Sequence, residues 1–340
     1  MALLLSNAIL HIVDNNGDGA QFSNEELDVD SETCFEFVSK HVRRLMNNPG
    51  AKEAAFSAES TVYSLVKSYQ RGEIYFKDMS QQLCRKLAGI MRDNEDIPQA
   101  DILVAAFDSA GKRYLAILKL NYGECFTHKV IRGDNGVENQ IVKNTVVLPF
   151  SGSKVEEACL IPFDPMVLRI LEKPHTVNGE QCNYFSQLFL ECETEISKKE
   201  AAELIQGIAD EINAKYYNDD VEMSARVKCA LIDEVTDSGE EETLNLENVA
   251  KRVFSENDQV TAEFVSMAKD AGLPYEVKLD RPFVQREFKM QRFKADNGIE
   301  LKFPSELFHD PETIQFTTNS DGTVSITLKN LRRYSNSTSK

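Results

Sequence analysis

Apolar positions along the chain follow three successive patterns. Up to about residue 175, short apolar runs alternate with stretches of helical spacing. The run at 8–13, a polar Asp14-Asn15-Asn16-Gly17-Asp18-Gly19 segment and a weaker run near Phe22 predict a strand, a turn and a second strand. Phe35, Val38, Val42 and Leu45 recur at three- and four-residue intervals, which predicts a helix over 34–46 ended by Asn47-Asn48-Pro49-Gly50. Helical spacing recurs over 60–70 and 79–91. Two β-rich runs, 102–108 and 113–121, flank Ser109-Ala110-Gly111. Two more, 140–150 and 156–162, flank Ser151-Gly152-Ser153, so an antiparallel sheet of hairpins is expected.

From 184 to 272 the period is helical, with segments at 184–192, 198–217, 221–234, 246–254 and 261–271. Ser197 and Glu200 have the spacing of a capping box, and the acidic run 237–242 reads as a solvated loop between helices. After Pro274 the period becomes two. Runs at 286–294 and 299–303 surround Asp296-Asn297-Gly298, and runs at 313–318 and 323–328 surround Ser320-Asp321-Gly322. Such Asn-Gly and Asp-Gly turns join tight hairpins, so a four-stranded meander is expected here. The fold class is therefore α+β. The expected division is an N-terminal domain at 1–175, a helical domain at 176–273, a β-meander at 274–334 and a disordered tail at 335–340.

Composition narrows the functional classes. The 340 residues are 42% hydrophobic and 27% charged, within the range of folded globular chains. The opening Met-Ala-Leu-Leu-Leu has no basic stretch before it and is broken by Ser6 and Asn7, so neither a signal peptide nor a membrane anchor is expected. Seven cysteines, odd in number and without a Cys-x-x-Cys pair, point to reduced thiols rather than disulfides or zinc. The five histidines are equally scattered.

Candidate chemistry is sparse. The Asp14–Gly19 segment followed by Glu25 has the spacing of an EF-hand loop. Gln21 stands where an apolar residue usually joins paired loops, no second loop exists, and the flanks have strand character, so a polar turn without calcium is expected. Ser151-Gly152-Ser153-Lys154 lacks the upstream glycine of a phosphate loop. Neither a nucleophile elbow nor a dinucleotide fingerprint occurs. No catalytic residue, metal ligand or cofactor is expected.

Charge changes the picture more. The net charge is −17, which repels nucleic acid as a whole. Residues 278–340 nevertheless hold 11 Lys and Arg against 8 Asp and Glu. Within them Arg281, Arg286, Lys289, Arg292 and Lys294 interleave with Phe283, Phe288 and Phe293, and Arg332-Arg333 closes the meander. On a strand, Arg286, Phe288, Met290, Arg292 and Lys294 share one face, suited to phosphates around an apolar centre. The competing reading makes Phe288 and Met290 core residues with snorkelling cations at the strand ends.

Several blocks carry a family resemblance. Leu244-Asn-Leu-Glu-Asn-Val-Ala-Lys, Phe264-Val-Ser-Met-Ala-Lys-Asp-Ala-Gly272, His309-Asp-Pro-Glu-Thr-Ile314 and Val324-Ser-Ile-Thr-Leu-Lys-Asn-Leu331, with Phe56-Ser-Ala-Glu-Ser60 and the strand pair over 102–120, resemble the bacterial nucleoid-associated NdpA family over nearly the whole chain. The resemblance implies a cytoplasmic, chromosome-located protein that binds DNA or DNA-bound proteins, with no catalytic activity attached. It supplies no set of DNA-contact residues, so the basic candidates rest on charge and alternation alone. Two other readings stand beside it: an acidic adaptor docking basic DNA-processing enzymes, and a metal-dependent hydrolase or nuclease using clustered carboxylates. Several apolar helical faces in the middle region also make a homodimer an expectation.

Overall fold

The computed structural model describes residues 3–13, 20–133, 136–220, 222–254, 257–319 and 323–331. The Asp14–Gly19 segment, Arg332-Arg333 and the tail at 335–340 lie outside them. The chain has an α+β fold and divides into two compact units, Met1–Ser197 and Lys198–Lys340.

The first unit runs β1 (Leu3–Val13), β2 (Ala20–Gln21), α1 (Glu32–Met46), β3 (Lys52–Phe56), α2 (Thr61–Gln70), α3 (Phe76–Arg92), β4 (Ala100–Ser109), β5 (Lys112–Asn121), β6 (Gly123–Gly133), β7 (Gly136–Val147), β8 (Glu157–Pro162), β9 (Leu168–Leu171), β10 (His175–Val177), β11 (Glu180–Cys182), a π-helical turn Phe185–Leu190 and β12 (Cys192–Thr194). An eight-stranded sheet in the order β12-β3-β9-β8-β5-β4-β1-β2 organises it. Both faces of its centre are buried. Ile102, Val104 and Ala106 of β4 point into the layer with α2, α3 and the π-helical turn, and Leu103, Ala105 and Phe107 point into the layer with α1. A strand covered on both faces is apolar along its covered length, which is why 102–107 of β4 reads as one continuous run, with Asp101 and Ser109 the buried polar residues at its ends. In β1 a bulge between Leu5 and Asn7 switches the faces, so Leu3 and Leu5 join the α1 layer while Ile9 and Val13 join the other.

The first hairpin, β4 with β5, forms as expected. The second does not: 140–150 does not pair with 156–162. Instead β7 pairs with β6, and β8 joins β5 and β9. Ala158 to Ile161 of β8 are buried on both faces, so the sheet centre outcompetes a surface hairpin for it. The partner β6 interleaves Thr127, His128, Lys129 and Arg132 with its apolar residues and so gives little periodic signal. The helix expected at 184–192 is the short π-helical turn, which ends at Glu191 in a left-handed conformation (φ 54°). Cys192 then pairs with Phe56 of β3.

The second unit contains α4 (Lys198–Tyr216), α5 (Met223–Asp237), β13 (Thr243–Asn245), α6 (Leu246–Val253), α7 (Asp258–Asp270), β14 (Glu276–Lys278), α8 (Arg281–Phe288), β15 (Met290–Lys294), β16 (Glu300–Pro304), β17 (Ile314–Thr318) and β18 (Val324–Leu328). The side chains of Asn245 and Asn257 cap α6 and α7 by accepting from backbone N–H groups of the first turn. Among the described residues the expected meander is two separate hairpins, β15 with β16 and β17 with β18. Aromatic side chains link them in place of a backbone ladder: Phe316 of β17 lies 5.0 Å from Phe293 and 6.3 Å from Phe303 between ring centroids. A 3-10 turn, Ser305–His309, separates the two hairpins along the chain.

Candidate nucleic-acid interface

The basic segment at 281–294 is not one strand. Asp280 sits in extended geometry and accepts a hydrogen bond from the Phe283 N–H at 2.7 Å, and Pro282 occupies the first turn. An Asp cap followed by proline starts a helix, because the cap satisfies a free N–H and proline has none to leave unpaired. Lys198 holds Asp280 in an ion pair. The helix stops where Phe288 is fully buried and the Ser305 hydroxyl donates to its carbonyl, while the Ser305 N–H donates to the Lys289 carbonyl at 2.8 Å. The chain then enters β15 at Met290.

This break scatters the expected face. Arg281 is half-buried, and its Nη2 donates to the carbonyls of Thr236 and Gly239 at 2.9 and 3.3 Å. It therefore closes the C-terminal end of α5 and is occupied there. Arg286 is exposed on α8, away from the strand alternation. Phe288 belongs to the core. Lys289 is exposed and borders an open cavity of about 390 Å³ that also meets Asp233, Glu306 and His309, whose two carboxylates counter a polyanion. Cys229 lines the same cavity, and burial pushes its thiol up to about 11, so it is not a thiolate nucleophile at neutral pH. Arg332 and Arg333 lie outside the described residues.

Met290, Arg292 and Lys294 do share a strand face, and register adds what alternation missed. Arg292 stands directly opposite Lys302, and Lys294 opposite Glu300 at 3.6 Å. A lysine of α5 feels this charge, although α5 meets β15 on its opposite face, where the Gln291 amide donates to the Ala225 carbonyl at 3.5 Å. Burial pushes the Lys228 ammonium below the ordinary lysine range, Asp210 acts against that shift, and the Arg292 guanidinium adds to it. Like charges opposite each other in a hairpin are destabilising unless an anion sits between them. The other face of the hairpin is apolar, with Phe293 stacked on Phe303 at 5.8 Å. The arrangement is a two-stranded platform whose outer face holds Arg292, Lys294 and Lys302 against Glu300.

The first unit has a polar cluster of another kind. Glu157 accepts from the Lys119 Nζ at 3.3 Å and lies 2.7 Å from the His175 Nε2, with the Lys119 and Glu157 side chains fully buried. These are acid–base residue types, but a substrate has no access to side chains with no exposed surface. Among the described residues no group of three His, Cys, Asp or Glu is placed to hold a metal ion, and no helix is long and apolar enough to cross a membrane.

Compared with known families, residues 9–336 match the model described as nucleoid-associated protein YejK. The chain belongs to that family. Membership places it with the bacterial nucleoid and hence in the cytoplasm. No curated protein matches the chain. The match covers both units, so the family assignment rests on the scaffold and singles out no residue of the cationic platform.

Proposed function

We propose that the chain is a non-enzymatic nucleoid protein that contacts DNA phosphates directly through the outer face of the β15–β16 hairpin. The observation that carries this reading is the opposition of Arg292 and Lys302 on the exposed face of the hairpin. Two like charges face each other across the hairpin, which an external anion would relieve. Lys294 lies on the same face, paired with Glu300, and Arg286 is exposed on α8, whereas Arg281 is engaged at the end of α5 and Lys289 borders a cavity with two carboxylates. Such a surface reads charge rather than base sequence, in keeping with a protein spread along a chromosome. The strongly acidic remainder restricts contact to this patch.

The test is a gel-shift titration of the purified full chain on duplex DNA at several salt concentrations. Each phosphate contact contributes about −0.9 to the slope of log affinity against log salt. Replacing Arg292 and Lys302 by alanine is expected to flatten that slope by roughly two units, on all sequences alike. If the double variant stays folded and keeps the parent slope, the platform is scaffold. Nucleoid association would then pass through a protein partner docked on the acidic surface, the adaptor reading.

A further inference from the structure

We propose that the cavity between α1 and the turn at 150–153 is a binding site for one chloride-sized monovalent anion, held by the His41 ring, the Ser153 hydroxyl and the Arg44 guanidinium. The His41 side chain is buried and neither ring nitrogen has a hydrogen-bond partner, nor has the buried Ser153 Oγ. Both residues line one cavity, together with Arg44 and Asn48 and against the apolar Leu118 of β5 and Leu171 of β9. Buried polar groups are normally hydrogen-bonded, so two that are orphaned around one space mark the place of an outside partner. The turn is held there from two sides. Arg44 Nη1 donates to the Gly152 carbonyl at 2.5 Å, and the Ser153 N–H donates to the Phe150 carbonyl at 2.8 Å. Gly152 takes φ 73° and lies so near α1 that a Cβ there would stand 3.3 Å from the Lys40 Cβ.

Size and charge select the occupant. The cavity measures about 10 Å³, room for a single body the size of a water molecule. A halide is little larger than that, whereas phosphate or sulfate does not enter. Among the described lining residues Arg44 is the only charged one, and none is a carboxylate. The elements around the cavity add further cations. Arg169 of β9 donates to the Met46 and Asn48 carbonyls at 2.5 and 3.1 Å, and the Lys40 stem lies against Gly152 while its ammonium pairs with Glu36. Burial and the Arg44 charge both hold the His41 imidazole below the ordinary histidine range. A water molecule would leave the repulsion between Arg44 and a protonated His41 in place. An anion between them removes it, so anion uptake and His41 protonation favour each other.

The test is NMR of the full chain with labelled histidines, the His41 ring being identified through its contact with the Phe37 ring, 4.7 Å away between centroids. Chloride is exchanged for gluconate at constant ionic strength, so that screening stays fixed. The expected result is a saturable His41 response to chloride and to bromide, none to sulfate, and a His41 titration displaced to higher pH when chloride is bound. Arg44→Gln and Ser153→Ala are each expected to weaken chloride binding about 5–10-fold, the order of one lost hydrogen bond. Arg43→Gln makes the same charge change at an exposed neighbour outside the cavity and is expected to leave the midpoint unchanged. Circular dichroism checks that each variant keeps the parent fold. An absent or unsaturable response, a response shared by sulfate, or a Ser153→Ala chain that binds chloride like the parent would each overturn the proposal and leave a water molecule as the occupant.

Discussion

Two lysines in this chain are pulled out of water, and their surroundings differ in one respect. Burial pushes both Lys119 in the first unit and Lys228 in the second below the ordinary lysine range. At Lys119 the nearest charge is Glu157, which opposes the shift and itself meets His175. At Lys228, Asp210 opposes the shift while Arg292 reinforces it, and Lys302 faces Arg292 across the hairpin. The first arrangement is closed, with each charge answered inside the protein. The second carries a surplus of positive charge at the surface, which an external anion can answer. The two lysines differ in the sign of the charge that neighbours them, not in their burial.

The comparison breaks most readily at the closed cluster. Glu157→Gln leaves Lys119 buried without its counter-charge, and stripping one partner from a buried ion pair costs about 3–5 kcal/mol. Urea unfolding should show that loss, with Lys119→Met added to Glu157→Gln recovering much of it because the stranded charge is gone. A cost below about 1 kcal/mol would mean that the pair is solvated, and that the contrast between the two lysines does not hold.

Arg281 gives the intermediate effect and separates a structural cation from a surface one. Arg281→Ala leaves the Thr236 and Gly239 carbonyls at the end of α5 without their donor. The expected cost is about 1.5–3 kcal/mol, the usual contribution of a hydrogen bond to a charged group. The salt slope of DNA binding is expected to stay at the parent value. A flattened slope at full stability would return Arg281 to the interface.

These two residues also mark what the sequence made legible. The helices over 34–46, 60–70 and 79–91 were visible because each packs one stripe on the sheet, and Ser60 caps α2 through the Tyr63 N–H as its position suggests. The hairpin around Asp296-Asn297-Gly298 was visible because Gly298 takes φ 86°, which few other residues tolerate. The α8 helix was hidden behind a period-two pattern of charges and phenylalanines, although Asp280 and Pro282 are a start signal that needs no periodicity. Lys302 was recoverable from the same turn, since pairing Lys294 with Glu300 sets Arg292 on Lys302. Lys228 was not, because nothing local ties α5 to the face of β15. The ribbon strand β6 escaped for the opposite reason: a strand with no buried face carries no alternation to find.

The smallest effect is a titration, and it tests the open cluster from within. Lys228 has a folded pKa below its unfolded value of 10.5, so between the two the unfolded chain binds more protons and stability rises with pH. Below that window the deficit is complete; above pH 10.5 both forms are neutral and it vanishes. Arg292→Gln removes one cause of the shift. The Lys228 ammonium is then expected to titrate at higher pH, followed through its side-chain carbon resonances, and the variant to gain less than about 1 kcal/mol at neutral pH. That gain should disappear once the pH passes the unfolded lysine value. Duplex DNA added to the parent should move Lys228 in the same direction, because phosphate favours the charged lysine as surely as Arg292 disfavours it. A Lys228 titration indifferent to both changes would mean that Lys228 does not sense the charge of the hairpin's outer face, and the contrast with Lys119 would fall.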